Sequence, residues 1–483
     1  ELGSTTLQRE SIAPHPPGER RENAMPPLKL RLTHVLTLLS PPEDLSQWLV
    51  ATLTIPNPKW LENERMGRWN RKTPKELKFY RRLRGGGMRI PRGFTGNLLR
   101  QCRRMGIAWE MDDRRRLLEA VPFEFKGRLK PFQEEAVAKM GAKDFGTLSA
   151  PTGSGKTVMG LSLIARRRQP AAVIVHTKDL AHQWAARIHQ FLDVPEKEIG
   201  LIGAGRRRIG DRITVALVQS LYKYAAELAP RVGQVVVDEC HRTPSRTFTE
   251  AVQSFDSRYM LGLSATPWRR DKLSKLIFWH LGNVQHEIAA EGLIESGDVL
   301  PAEVVVRETA FRPYFDPVSE YARMLSELAE DKERNLLIVA DVAAVQQESR
   351  GVCLVLTDRK AHCENLKVLL KYRHQVAAEV LTGDLTVAQR QALTARLQAG
   401  GIKVLIATGQ LIGEGFDCPR LETLFLVTPI RFSGRLLQYL GRVLRPAPGK
   451  RRARVYDYVD VHVDTLVKAA NARQRVYPRS RVI

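Results

Sequence analysis

Between Lys126 and Leu300 short apolar runs alternate with amphipathic stretches. FGTLS (145–149), AAVIVHT (171–177), ITVALV (213–218), QVVVDE (234–239) and YMLGLSAT (259–266) are apolar at consecutive positions rather than alternate ones. Strands buried on both faces read this way. With helical or loop segments between them, they predict a parallel sheet covered by helices on both sides. The alternation resumes with GVCLVLT (351–357), AAEVLTG (377–383), IKVLIAT (402–408) and ETLFLVTP (422–429), so a second sheet of the same kind is expected. The intervening stretch, about 301–335, carries Pro301, Pro313 and Pro317 and then the acidic helix SEYARMLSELAEDKER, and reads as a linker.

Ahead of the first sheet the pattern is mixed. LKLRLTHVLTLL (28–39) reads as the first strand of a domain and WLVATLTI (48–55) as an extended run. The expected fold class is therefore α/β, two tandem parallel-sheet domains (126–300 and 336–465) preceded by a small basic α+β domain (25–125). Residues 1–24, rich in Pro, Glu, Arg and small polar side chains, have almost nothing to bury and are expected to be disordered. A natural start at Met25 is one reading of that leader. The basic tail, 466–483, is expected to be frayed or bound to a partner.

Charge changes the picture most. The 483 residues hold 76 Lys and Arg against 52 acids, a net charge of +24, which points to a polyanionic partner or a charged membrane surface. No apolar run approaches the ~18 residues needed to span a bilayer. Five scattered cysteines, without a CxxC pair, fit a reduced cytoplasmic protein without structural zinc. Lys59 to Arg116 alone contains 18 basic and 6 acidic residues, so +12 of the charge lies there. Within it RRLRGGG (Arg81, Arg82, Arg84) and RIPRGF (Arg92) set glycines among arginines, which lets backbone and side chain approach a phosphate chain. Trp60, Trp69, Phe79, Tyr80 and Phe94 interleave with these charges. Each aromatic taken singly reads as core, whereas the cationic cluster reads as a nucleic-acid surface.

The candidate chemistry centres on APTGSGKT, 150–157, placed between a strand and a helix. Gly153 and Gly155 free the backbone N–H groups from Thr152 to Gly155, Ser154 included, to turn on phosphate oxygens at the positive end of the helix. Lys156 then reaches the outer phosphates and the Thr157 hydroxyl holds Mg2+. DECH comes 82 residues after Lys156, offering Asp238 to the metal and Glu239 to the attacking water. SATP begins at Ser264 and suits a sensor of the occupied site. Gln133, in LKPFQEEAV, has an amide that can bond both edges of an adenine. In QYLGRVLR, Arg442 and Arg445 are three apart and are expected to share a helical face suited to a triphosphate.

The ordered set APTGSGKT, DECH, SATP, GEGFD and QYLGRVLR resembles motifs I, II, III, V and VI of the DExH-type superfamily 2 helicases over about 126–460. The resemblance implies two RecA-like domains with ATP between them. It places Lys156 and Thr157 on phosphate and Mg2+, Asp238 and Glu239 on metal and water, Arg442 and Arg445 on the γ-phosphate, and Asp417 and Gln438 among the nucleotide contacts. A nucleic acid strand is implied to run past Thr177, Lys178, Thr357, Arg359 and Thr408. Within the superfamily the chain most resembles the XPB, RadD and UvsW-like repair and recombination helicases, although WRRD (268–271) has arginine where XPB-type proteins carry the acid of Arg-Glu-Asp. IPNP and IPRGF resemble the segment before the motor in helicases of mobile elements. An ATP-dependent DNA helicase or translocase acting on duplex, branched or single-stranded DNA is expected. The alternatives are an RNA helicase and an ATP-gated motor subunit of a restriction or defence complex.

Overall fold

The computed structural model describes residues 26–482 except 243–245, 266–273, 350, 413–417, 431–432, 448–449, 451, 476 and 478–480. The leader, Asp417 and the WRRD element lie outside the described residues. The chain divides into two compact units, one running to Ser149 and resuming over Lys156–Glu287, the other made of Ala150–Gly155 and the chain from Ile288 onward.

In the first unit LKLRLTHVLTLL folds as two strands, Leu28–Leu32 and Val35–Leu39, paired antiparallel. With Met88–Pro91, Arg81–Arg82 and Trp109–Asp113 they form a five-stranded sheet. Leu28, Leu30 and Leu32 point into the core while Lys29 and Arg31 stay outside, the period-2 pattern of a half-buried strand. The run read as extended at 48–55 is mostly helical. The helix Glu43–Thr52 places Leu45 and Leu49 one turn apart on the sheet, with two acids in its first turn. Leu53 continues that spacing, so tertiary burial overrides the β-propensity of the β-branched residues.

The core of this small domain does not close on itself. Leu276 and Trp279, from the helix Ser274–Leu281 of the next domain, complete it. Gly93 makes that approach possible, because a Cβ there would lie 2.5 Å from the Phe278 carbonyl oxygen and 2.6 Å from that of Trp279. Arginines fasten the seam. Arg115, 1 % exposed, bonds Asp113 and Asp144 at 2.7 Å each and donates to the Arg258 carbonyl. Arg116 holds Asp256 with two parallel bonds.

Behind this lies an eight-stranded sheet in the order 206–208, 200–203, 213–217, 171–175, 234–237, 259–264, 145–149, 284–287. All neighbours are parallel except the edge strand Arg206–Arg208. The second unit has a seven-stranded, wholly parallel sheet in the order 379–381, 404–408, 352–357, 421–426, 453–460, 302–309, 481–482. Here the expected linker is corrected: Ala302–Thr309 is a strand paired with Ala453–Asp460 along its whole length. Its prolines sit before and after the ladder, where a missing N–H costs nothing. The tail is corrected too. The helix Asp464–Gln474 packs on the sheet, buried Arg473 is consumed by three bonds to Asp457, and Arg481–Val482 joins Ala302–Thr309.

The seam can be tested at two residues. Arg115→Met should lower the unfolding free energy by about 2–3 kcal/mol, less than for a wholly buried pair because both aspartates keep some contact with water. Burial opposes the Asp113 carboxylate, but the bonds and charge of Arg115 outweigh it and hold the carboxyl below its usual range. Such a group stabilises fully above its unfolded pKa and ceases to do so as pH falls through the folded one. The stability gap between native protein and Arg115→Met in urea titrations should therefore narrow below about pH 4. Gly93→Ala should cost on the order of 1–3 kcal/mol or more, since backbone rather than a flexible side chain must yield; an unaltered thermal midpoint would show that the close approach is not required.

Candidate functional site

In the first unit, four neighbouring parallel strands, Ala171–Val175, Gln234–Val237, Tyr259–Ser264 and Phe145–Ser149, end on one edge of the sheet. Adjacent strands are about 4.8 Å apart, so the residues just past their ends are gathered into one row, where parallel α/β sheets bind ligands. That row contains Thr177, Asp238 with Glu239, and Ser264, and the glycine loop follows the strand Phe145–Ser149 along the chain.

The loop has the shape its sequence requires. Gly153 and Gly155 adopt φ of +94° and +82°, a region that L side chains rarely enter. Ser154 closes a turn, its N–H and hydroxyl both donating to the Pro151 carbonyl at 3.2 and 2.7 Å. Lys156, 9 % exposed, opens the 12-residue helix Lys156–Arg167, and half-buried Thr157 comes next. Backbone donors, a helix N-terminus and a shielded ammonium fit a triphosphate. One turn on, Gly160 leaves room for the Trp184 ring, which a Cβ would meet at 3.3 Å.

Trp184 reaches the carboxylates. Its indole Nε1 donates to Asp238 Oδ2 at 2.8 Å, and the Glu239 N–H donates to Oδ1 at 2.9 Å. Burial first, and the adjacent Glu239 charge second, raise the Asp238 carboxyl above its usual range. Two carboxylates crowded at a strand end beside Lys156 fit a divalent cation that takes most of its other ligands from phosphate and water. Glu239 adopts φ +47°, strained for a residue with a Cβ. His241 Nδ1 lies 3.2 Å from the Glu239 carboxylate and 2.9 Å from Ser264 Oγ, linking the second strand end to the third. The sequence alone assigns no role to Trp184 or His241. The tryptophan stands in VIVHTKDLAHQW two turns into a helix, and what it meets depends on the fold.

Gln133 is buried, and its side-chain oxygen accepts from the Lys130 N–H as part of a capping box. Beside that helix is a cavity of about 470 Å³, lined by Phe123, Phe125, Arg128, Leu129 and Arg166 among others. The Thr177 hydroxyl caps the helix Lys178–Leu192 by accepting from Leu180 N–H, and Lys178 is exposed on the first turn. Arg81, Arg82 and Arg84 are exposed on the edge of the N-terminal sheet. Arg92 is not with them. It is 3 % exposed and donates to the Ser257 carbonyl at 2.9 Å, so the structure removes it from any phosphate-binding face. Burial lowers its pKa to about 9, and the sequence could not separate it from its exposed neighbours.

In the second unit the helix Ser433–Val443 contains Gln438 and half-buried Arg442. Arg445 lies two residues beyond its end, so the expected shared helical face is corrected. Pro446 disfavours helical backbone at the preceding residue. The Lys450 ammonium instead caps the helix end, bonding the Val443 and Arg445 carbonyls. Thr408 is half-buried at a strand end, and the next residue, Gly409, accepts from Tyr439 Oη at 2.7 Å, tying that end to the arginine helix. Arg359 donates to the Ala322 carbonyl at 2.6 Å. Thr357 is corrected: 1 % exposed, its hydroxyl meets His362 Nδ1 and the Thr428 hydroxyl, each at 3.0 Å, so it braces a strand end rather than facing a ligand.

Among the described residues no helix is long and apolar enough to cross a membrane. Residues 126–269 match the family described as type III restriction enzyme, res subunit, and 332–447 match the helicase conserved C-terminal domain. The chain is 25 % identical over 381 residues to the DNA 3'-5' translocase XPB2 of Sulfurisphaera tokodaii, covering 72 % of this chain and 86 % of that one. It is 24 % identical over 379 residues to L396 of Acanthamoeba polyphaga mimivirus, a protein carrying the name of an ATP-dependent RNA helicase, covering 74 % of this chain and 69 % of that one. In fold it is similar to an HsdR-type fragment of a type I restriction enzyme from Vibrio vulnificus, at a TM-score of 0.56 and 18 % identity over 74 % of this chain and 68 % of that one. Two RecA-like sheets, a phosphate loop and both motor-domain families together place the chain among the superfamily 2 helicases, with the XPB-like members.

Proposed function

We propose that the chain is an ATP-dependent DNA translocase or helicase in which two RecA-like domains, one built on each parallel sheet, step along one strand while the basic domain 25–125 holds DNA. The row formed by Asp238, Glu239 and Ser264 on one sheet edge with Lys156 beside it, at the end of the glycine loop in the chain, carries this reading. The backbone from Thr152 to Gly155 cradles the phosphates and Lys156 neutralises them. Thr157 and Asp238 hold Mg2+, which when bound supplies charge neutralisation on the transferred phosphoryl group. Glu239 orients the attacking water and takes its proton. Arg442 and Arg445 stabilise charge on the γ-phosphate, with Asp417 and Gln438 as further nucleotide contacts and the Gln133 amide beside the adenine.

For the nucleic acid, Thr177, Lys178, Arg359 and Thr408 line the path of the strand, and Arg81, Arg82 and Arg84 contact phosphates with little sequence preference. DNA is preferred to RNA because of the likeness to a DNA translocase and the basic N-terminal domain, with work in repair, recombination or mobile-element maintenance in the cytoplasm. The likeness to L396 favours the RNA reading as the second.

Lys156→Ala and Glu239→Gln should each reduce nucleic-acid-stimulated ATP hydrolysis at least about 10²-fold without shifting the thermal unfolding midpoint. Turnover that persists in either folded variant removes these residues from the site. DNA should stimulate the ATPase more than RNA of equal length and sequence, measured at matched salt; the reverse order would favour the RNA reading.

A further inference from the structure

The N-terminal domain sends out an arm. The strands Thr54–Pro56 and Glu76–Lys78 pair antiparallel as a stem, and between them lie the helix Pro58–Arg65, which has no buried residue, and a loop. Asparagines staple the arm from within. Asn57 donates to the Pro74 carbonyl at 2.7 Å, Asn63 to the Asn70 side chain at 2.9 Å, and Asn70 to the Trp60 carbonyl at 3.0 Å. The loop is thereby held in one shape, and on it Trp69 is 83 % exposed. Leu61 and Met66, at 49 % and 47 %, are exposed on the same arm.

The remaining aromatics of this basic region are used differently. Phe94 is 1 % exposed in the core, and Phe79 packs on Trp279 with ring centroids 5.2 Å apart. Trp60 is half-buried, with Lys75 over its ring. Burial therefore does not explain Trp69. Residues 54–78 carry seven Lys and Arg against three acids, and Arg81, Arg82 and Arg84 continue the charge beyond the stem. The Arg71 guanidinium lies 5.8 Å from the Trp69 ring centroid, attracted to one face and leaving the other to solvent.

We propose that Trp69 is a stacking platform for an unpaired base, with the arm's cations on the flanking phosphates, so that the N-terminal domain engages single strands or fork junctions rather than duplex alone. A flat indole presented on a stapled loop among exposed cations has the chemistry that binds single strands without reading sequence. This rests on the proposal that the N-terminal domain binds nucleic acid and adds which part of the substrate it grips.

The test uses the full chain without nucleotide, with Trp69→Ala, Trp69→Phe and the triple variant Arg81→Glu, Arg82→Glu, Arg84→Glu. Anisotropy titrations with oligo-dT, a forked duplex and a blunt duplex give the affinities, after circular dichroism has shown each variant folded. Trp69→Ala should weaken oligo-dT and fork binding about 5- to 100-fold. Blunt-duplex binding should stay within about twofold, and Trp69→Phe should retain most of the affinity. Oligo-dT should also quench the tryptophan emission of the native protein more than that of Trp69→Phe. Equal weakening on all three substrates, or none on any, overturns the stacking role. If Trp69→Ala is silent while the arginine variant weakens every substrate, the stacking inference fails and the DNA-binding reading stands. If the arginine variant is silent as well, the reading of the domain fails with it.

Discussion

The hydrogen bond from the Trp184 indole to Asp238 sets the geometry on which the site depends. A carboxylate at the end of a buried strand, next to a second carboxylate, is costly to keep charged, and burial accordingly raises its pKa. The indole and the Glu239 N–H each satisfy one oxygen of Asp238, which fixes its orientation. That arrangement needs the Trp184 helix close to the helix after the glycine loop. Gly160 eases it, since a Cβ there would meet the Trp184 ring at 3.3 Å and the ring would have to give by a few tenths of an ångström.

The same logic of close approach joins the N-terminal sheet to the first motor domain. The small domain borrows Leu276 and Trp279 for its core, and Arg92, Arg115 and Arg116 spend their donors on carbonyls and carboxylates of the motor. A shared core with a fixed polar rim makes the two parts one body. The basic edge is therefore carried along with the first motor domain rather than tethered to it.

Much of this was legible in the sequence because parallel strands announce themselves as continuous apolar runs, and because a glycine loop between strand and helix has few alternatives. The strands carrying Ser149, Val237 and Ser264 fall where those runs predict. What failed has a common cause in tertiary context. Ala302–Thr309 was hidden by flanking prolines that lie outside its ladder, and WLVAT by residues whose strand preference yields to burial of Leu45 and Leu49. Arginine is the least readable residue of all. Its forked guanidinium can be buried when enough acceptors surround it, as Asp457 does for Arg473, so a net charge of +24 adds structural and exposed arginines without distinguishing them.

The order of strands also bears on how a motor of this kind can respond to its nucleotide. Tyr259–Ser264 lies between the strand that leads into the phosphate loop and the strand that ends at the carboxylates. Ser264 meets His241, and His241 meets Glu239, so these three side chains form a continuous chain of contacts. Glu239 is held at φ +47°, a conformation that persists where its surroundings impose it. At the head of a polar relay, such a residue couples the strand end at Asp238 to the strand end at Ser264.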